Sequence, residues 1–191
     1  VRLVLATRND HKAREFAALL APHEVVALPD HLELPPETGT TFAENALGKA
    51  RAAAAATGAV SFADDSGIAA DALGGAPGVR SARYAGEDAT DADNLAKLVA
   101  EVPPGTGLAY VCAIALVDPA TGAETVVEGR CRGRMAEAPR GDGGFGYDPV
   151  FLPDDPPDPA GRTMAQLAPE EKAAISHRGR AARALLAHLA G

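Results

Sequence analysis

The chain has 191 residues, a formal net charge of −8 and 47% hydrophobic residues. That length buries a core without disulfide or metal staples and suits one domain or two tightly packed lobes. That charge argues against non-specific binding to nucleic acid polymers or anionic membranes, so any small anion must be met by a local cluster of Lys and Arg.

Cys112 and Cys131 stand apart, with no CxxC and no metal-ligand spacing. They read as buried free thiols in a reducing, cytoplasmic setting. No apolar run approaches the ~20 residues of a membrane span, and the opening VRLVLATRN is too short for a signal peptide.

In chain order, Arg2 to Ala6 reads as a first strand and Thr7 to Asp10 as a turn. Phe16, Leu19 and Leu20 give His11 to Leu20 a helical spacing. Glu24 to Leu28 is a second strand, followed by the Pro-rich loop PDHLELPPETGT. Thr41-Phe42-Ala43-Glu44 is a capping-box signature that opens an Ala-rich helix running to about Thr57, closed by Gly58. Val60 to Ala63 is a strand whose end carries Asp64-Asp65-Ser66-Gly67, and Asp91 to Val102 is a helix.

Leu108 to Val117 and Glu124 to Arg132 predict a long hairpin about the turn DPATGA. Gly141-x-Gly143-x-x-Gly146 spells a dinucleotide-binding pattern, but Pro139 and Arg140 precede it rather than an apolar strand. These glycines predict a loop leading into a strand at Val150 to Leu152. Two helices close the chain, Pro169 to about Ile175 and roughly Gly179 to Ala190, with Ser176, His177 and Arg178 between them. No linker or repeat interrupts residues 1–191, which read as a single domain of the α/β class, a mixed central sheet flanked by helices.

Several short stretches carry chemistry. Adjacent carboxylates at Asp64 and Asp65, at a strand's carboxyl end, either bind Mg²⁺ or form a solvated Asx-type turn. Glu44 either joins that metal site or caps its helix. Asn45 and Lys49 share a helix face and could point at a phosphate. Thr7, Asn9 and Lys12 follow a strand and open a helix, where backbone N–H groups and a Lys charge favour an anion. His177 and Arg178, with Lys172 a turn upstream, suit a base edge or a phosphate.

Together these stretches resemble the inosine triphosphate pyrophosphatase family of XTP/dITP diphosphatases. The matching segments are TRNDHK at 7–12, TFAENALGKA at 41–50, FADDSG at 62–67, GGAPGVRSARYAG at 74–86, GGFGYDPVF at 143–151 and TMAQLAPEEKAAISHRGRA at 163–181. The resemblance implies two lobes with a nucleotide-binding cleft between them, and hydrolysis of ITP, dITP or XTP to the monophosphate and pyrophosphate. It implies Mg²⁺ as cofactor, held by Glu44, Asp64 and Asp65, with Asp65 orienting or deprotonating the attacking water. Thr7, Arg8, Asn9, Asp10, His11, Lys12, Lys49 and Ser66 would bind substrate, chiefly the triphosphate. Phe145, Gly146, Tyr147, Asp148, Lys172, His177 and Arg178 would surround the base, Phe145 by stacking. A cytoplasmic homodimer is implied as well. A pyrophosphatase for modified pyrimidine nucleotides and a non-catalytic nucleotide sensor are the alternatives. Three positions depart from the family's pattern: Arg8 where Gly is usual, Gln166 for Glu, and Ala168 for a Ser that would cap the next helix.

Overall fold

The computed structural model describes residues 1–191. Six strands and five α-helices follow one another as β1 (Arg2–Leu5), α1 (Asp10–Leu19), β2 (Glu24–Ala27), α2 (Phe42–Thr57), β3 (Ser61–Ala70), α3 (Asp91–Glu101), β4 (Gly107–Asp118), β5 (Ala123–Met135), β6 (Phe151–Pro153), α4 (Pro169–Ile175) and α5 (His177–Ala190). The strands form one sheet in the order β2-β1-β3-β4-β5-β6. β1 runs parallel to β2 and β3, and β5 runs antiparallel to β6. This is the expected mixed α/β sheet. No helix is long and apolar enough to cross a membrane.

The chain divides into two compact units. One comprises Val1–Asp65, Cys112–Gly129 and Gly179–Gly191, the other Ser66–Val111 and Arg130–Arg178.

The first unit is layered by the alternation of its strands. Leu3, Leu5 and Phe62 point to one face and pack with Phe16 and Leu20 around α1 and with Ala181, Ala182 and Leu185 of α5. Val4, Ala6 and Ala63 point to the other and pack on Ala46, Ala50, Ala53 and Ala54 of α2. Alanine along α2 allows a close approach of helix to sheet. The capping box read from the sequence is formed, with Thr41 Oγ1 accepting from the Glu44 N–H at 3.1 Å and Gly58 ending the helix.

In the second unit Ile68, Leu98, Leu108, Tyr110, Met135, Tyr147, Phe151 and Met164 make a separate core. The carbonyl of Ala165 accepts from Gly143 N–H at 3.0 Å, which fastens the glycine loop. Ala168 offers no cap acceptor to α4, but its N–H donates to Glu171 Oε2 at 2.8 Å, so half of the capping arrangement survives.

Two boundaries differ from those expected of the sequence. β3 does not stop at Ala63 but continues to Ala70, so Asp64-Asp65-Ser66-Gly67 lies inside a buried strand rather than in a turn. Ile68 and Ala70, both fully buried, supply the apolar anchor for this extension. His177 and Arg178 do not sit in a linker; α5 begins at His177, immediately after an extended Ser176.

Candidate active site

In the first unit the site grows from β3. Successive strand residues face opposite ways, so Asp64 and Asp65 diverge as Phe62 and Ala63 do. Asp64 meets Lys12 of α1, whose Nζ lies 2.9 Å from Oδ2. Asp65 meets α2, where Asn45 Nδ2 donates to its Oδ2 at 2.9 Å. The Asn45 carbonyl oxygen accepts from the Gly39 N–H at 2.8 Å, which fixes the amide with its NH₂ towards Asp65. Gly39 must be glycine here, because a Cβ would lie 2.6 Å from that same oxygen.

Lys49, one turn on from Asn45, is buried. Its Nζ donates to the Asp64 backbone carbonyl at 2.8 Å and pairs with Glu37 at 2.5 Å. Burial pushes the Asp65 carboxyl up to about 6, against an ordinary 3.8. The Glu37 charge adds to the rise, while the Asn45 hydrogen bond, Lys49 and Lys12 oppose it. A carboxyl titrating near 6 beside two lysines is suited to accept a proton near neutral pH while phosphates are held.

Glu44 is engaged in the helix cap. Its Oε2 accepts from Thr40 N–H at 2.7 Å, Thr40 Oγ1 at 3.1 Å and Thr41 N–H at 3.3 Å, and the Thr40 amide foremost holds its carboxyl below the usual range. The structure thus joins Glu37, not Glu44, to the Lys49 and Asp65 group, and no three His, Cys, Asp or Glu side chains are gathered to hold a metal ion on their own. Glu44→Ala is therefore expected to lower the melting temperature by roughly 2–4 °C while the metal concentration giving half-maximal activity stays within about twofold. A tenfold rise in that concentration would return Glu44 to the metal site.

The 7–12 segment is divided in its duties. Asn9 caps α1 by accepting from Lys12 N–H at 3.1 Å, and Thr7 Oγ1 accepts from Asn9 N–H at 3.2 Å. Asp10 lies in the first turn of α1, and His11 follows on the exposed side. Arg8 turns away from this loop: its guanidinium donates to the carbonyls of Leu28 at 3.1 Å, Pro29 at 2.8 Å, Asp30 at 3.3 Å and also Leu32. No non-glycine residue in the chain has a positive φ, so an arginine here brings no backbone strain. A cavity of about 370 Å³ lies against α1, lined by Leu5, Ala13, Ala17, Val25 and Leu28 with Arg8 at its edge.

In the second unit Asp148 is the hub. It is 2% exposed and accepts from Tyr110 Oη at 2.9 Å, from Phe145 N–H at 3.0 Å and from Lys172 Nζ at 2.5 Å. Gly144 (φ 66°) turns the loop so closely over this carboxylate that a Cβ would overlap Asp148 Oδ2. The Phe145 ring is 37% exposed, with Lys172 Nζ 4.6 Å and the Arg178 guanidinium 5.4 Å from its centroid. Arg178, at 2% exposure, also donates to Ser66 Oγ at 3.3 Å. The His177 ring stacks on Tyr110 at 4.6 Å and 12°.

An aromatic ring beside two cations can take a flat, oxygen-bearing heterocycle. Tyr147 is turned inward instead, donating to the Ser81 carbonyl at 2.6 Å, while Gly146 N–H reaches Asp91 at 3.3 Å. Sequence reading missed Glu37, Tyr110 and Ser81. Asn45 was legible by its helical offset from Lys49, and its amide donates to Asp65. Glu37 sits in a loop without periodicity, and Tyr110 reads as one more core residue of an apolar strand.

Comparison with known proteins places the chain in a lineage. Over 188 residues the chain is 54% identical to a dITP/XTP pyrophosphatase of Geobacillus kaustophilus, covering 94% of this chain and 89% of that one. It is 49% identical over 195 residues to a dITP/XTP pyrophosphatase of Streptomyces coelicolor, covering 97% and 95%. The solved structure of a HAM1 protein from Coxiella burnetii superposes with a TM-score of 0.89 at 40% identity, covering 100% of this chain and 98% of that one. The pattern that defines the Ham1 family matches residues 3–188, and the chain belongs to that family.

Proposed function

We propose that this chain hydrolyses deaminated purine nucleoside triphosphates, ITP, dITP and XTP, to the nucleoside monophosphate and pyrophosphate. The name dITP/XTP pyrophosphatase, carried by relatives at about half identity over nearly their whole length, supports the substrate class. The observation that carries the chemistry is Asp65, a buried carboxyl raised to about 6 beside Lys12 and Lys49.

In this reading water adds to the α-phosphorus, its proton passes to an Asp65 carboxylate oxygen, and the bond from the α-phosphorus to the bridging oxygen breaks to release pyrophosphate. Lys12, Lys49 and the N–H groups that open α1 hold the phosphates. Asn45 keeps the Asp65 carboxylate directed. Phe145 stacks on the base, and Lys172, His177 and Arg178 meet its edges. Arg178 donates to a 6-oxo group; adenine offers an amino group there and leaves the donor unpaired. Gly146 shapes the Phe145 loop, and Ser66 steadies Arg178. Tyr147 and Asp148 act from behind the base rather than on it.

The donor set suits Mg²⁺, which takes one or two carboxylates together with substrate phosphates. Asp65 and Glu37, whose charge acts on the Asp65 carboxyl, would hold it, with Asp64 behind them through Lys12. The ion would neutralise charge developing on the departing pyrophosphate. A cytoplasmic homodimer belongs to the same proposal; the two buried free thiols fit a reducing compartment.

The test is pyrophosphate release from a panel of ITP, XTP, dITP, ATP, GTP and modified pyrimidine triphosphates, with Mg²⁺ and in EDTA. The expected result is turnover of the deaminated purines, abolished by EDTA and restored by Mg²⁺, with Glu37→Gln requiring at least about tenfold more Mg²⁺. Preference for a modified pyrimidine would replace the substrate class. Binding without turnover would make the protein a sensor, and full activity in EDTA would remove the metal from the mechanism.

A further inference from the structure

The base-reading group of the second unit is not self-supporting. Lys172 comes from α4, Phe145 from the glycine loop and His177 from the start of α5. Each belongs to a short or irregular segment, and each must be registered against something rigid to present a fixed pattern of donors. One residue of the sheet contacts this arrangement by two separate means. Tyr110, in the first half of β4, donates its hydroxyl to Asp148 Oδ1 at 2.9 Å, while the other carboxylate oxygen takes Lys172 Nζ at 2.5 Å and Phe145 N–H at 3.0 Å. Its ring lies between Phe151, 4.5 Å away at 26°, and His177, 4.6 Å away at 12°.

We propose that Tyr110 is a positioning residue for base recognition: its hydroxyl sets the rotation of the Asp148 carboxylate, and through it the placement of Lys172 and the Phe145 loop. The inference rests on the base being read by Phe145, Lys172, His177 and Arg178, as argued above.

The physical reasoning is about degrees of freedom. A carboxylate on a single Cβ–Cγ bond is free to turn unless each oxygen is separately engaged. In Asp148 both are, and only the Tyr110 bond comes from a sheet strand. The hydroxyl is held in turn by its ring, which cannot tilt between Phe151 and His177. Burial, with the Asp148 charge beside it, raises the Tyr110 hydroxyl well above its ordinary titration range, so it remains a donor at every pH at which the protein works. Its removal leaves Lys172 and Phe145 N–H to pull on one oxygen with nothing opposing them on the other.

Tyr110→Phe is the test, because it keeps the ring stack and deletes only the hydroxyl. Two ligands are titrated into the same preparation: inosine monophosphate, which carries the base, and inorganic tripolyphosphate, which has none. Re-ordering Lys172 and the Phe145 loop as the base binds costs about two- to tenfold in affinity for each freed side chain, so inosine monophosphate should bind at least about tenfold more weakly while tripolyphosphate keeps its affinity within about twofold. The phosphate ligand also counts folded sites, so a partly unfolded variant remains readable.

Equal affinity for inosine monophosphate in wild type and variant would overturn the proposal. So would a parallel loss for both ligands, which marks a core residue with no bearing on the base. Lys172→Ala and Phe145→Ala are run beside it. If these weaken inosine monophosphate and Tyr110→Phe does not, the positioning role fails while the base site stands. If none of the three does, the base site itself has been misplaced.

Discussion

Asp65→Asn is expected to leave a folded protein whose turnover falls by roughly 10²-fold or more and whose melting temperature rises at pH 8 but not at pH 4. The loss of turnover follows if, as proposed, this carboxylate takes the proton from water. Geometry is preserved, since an Asn side chain still offers an oxygen to Asn45 Nδ2 and fills the same space. The gain in stability follows from the raised titration point. The folded-state value is about 6 and the ordinary value 3.8, so between these the folded chain holds a proton that the unfolded chain has released. Below about 4 both states are protonated and the charge costs nothing. As pH rises through 6 the folded protein must accept a buried anion, and the cost is complete above that. The difference between the two values corresponds to at most about 3 kcal/mol, or roughly 5–10 °C for a chain of this length. Differential scanning calorimetry at the two pH values reads it directly, without Mg²⁺. A variant no more stable than wild type at pH 8 would mean that Asp65 is not strained by burial, and near-normal turnover would give the proton to another group.

Asp148→Ala should be the most destabilising single substitution in the second unit. It strands a lysine ammonium, a tyrosine hydroxyl and a backbone N–H that now converge on one carboxylate. Asp148 is almost wholly buried and the Lys172 side chain is only 14% exposed, so solvent replaces little of what is lost. Removing one partner of a buried pair costs about 3–5 kcal/mol, which lowers the melting temperature by roughly 10 °C. Most of this penalty is the uncompensated charge. The Asp148→Ala, Lys172→Met double variant should therefore recover part of the loss. A double variant that is merely the sum of two losses would mean that the pair is screened and contributes little. Either variant should weaken ITP, because the Phe145 loop loses its anchor.

What the sequence determined by itself is everything carried by neighbours along the chain. Thr41 and Glu44 declare a helix start because a side chain three residues on can reach back to an N-terminal N–H, and α2 begins there. The alternation of Leu3, Val4 and Leu5 declares a strand with two faces, both of which the structure fills. The quoted motifs, taken in order, were enough to name the resemblance and the α/β class, and the comparisons agree. What the sequence left undecided is which groups face each other. Asp64 and Asp65 look like one acidic pair in one dimension. Inside β3 the two-residue period of a strand sends them to Lys12 and to Asn45 instead. Glu44 carries a helix-cap signature, while Glu37 lies in a loop with no local signal. Only the folded loop shows one used by the cap and the other drawn to Lys49. Tyr110 and Asp148 are 38 residues apart, and no local period links a strand interior to a turn so distant. Their meeting depends on how a sheet strand, a glycine loop and α4 pack into a common core, where a buried hydroxyl and a buried carboxylate each lower the other's cost of leaving water.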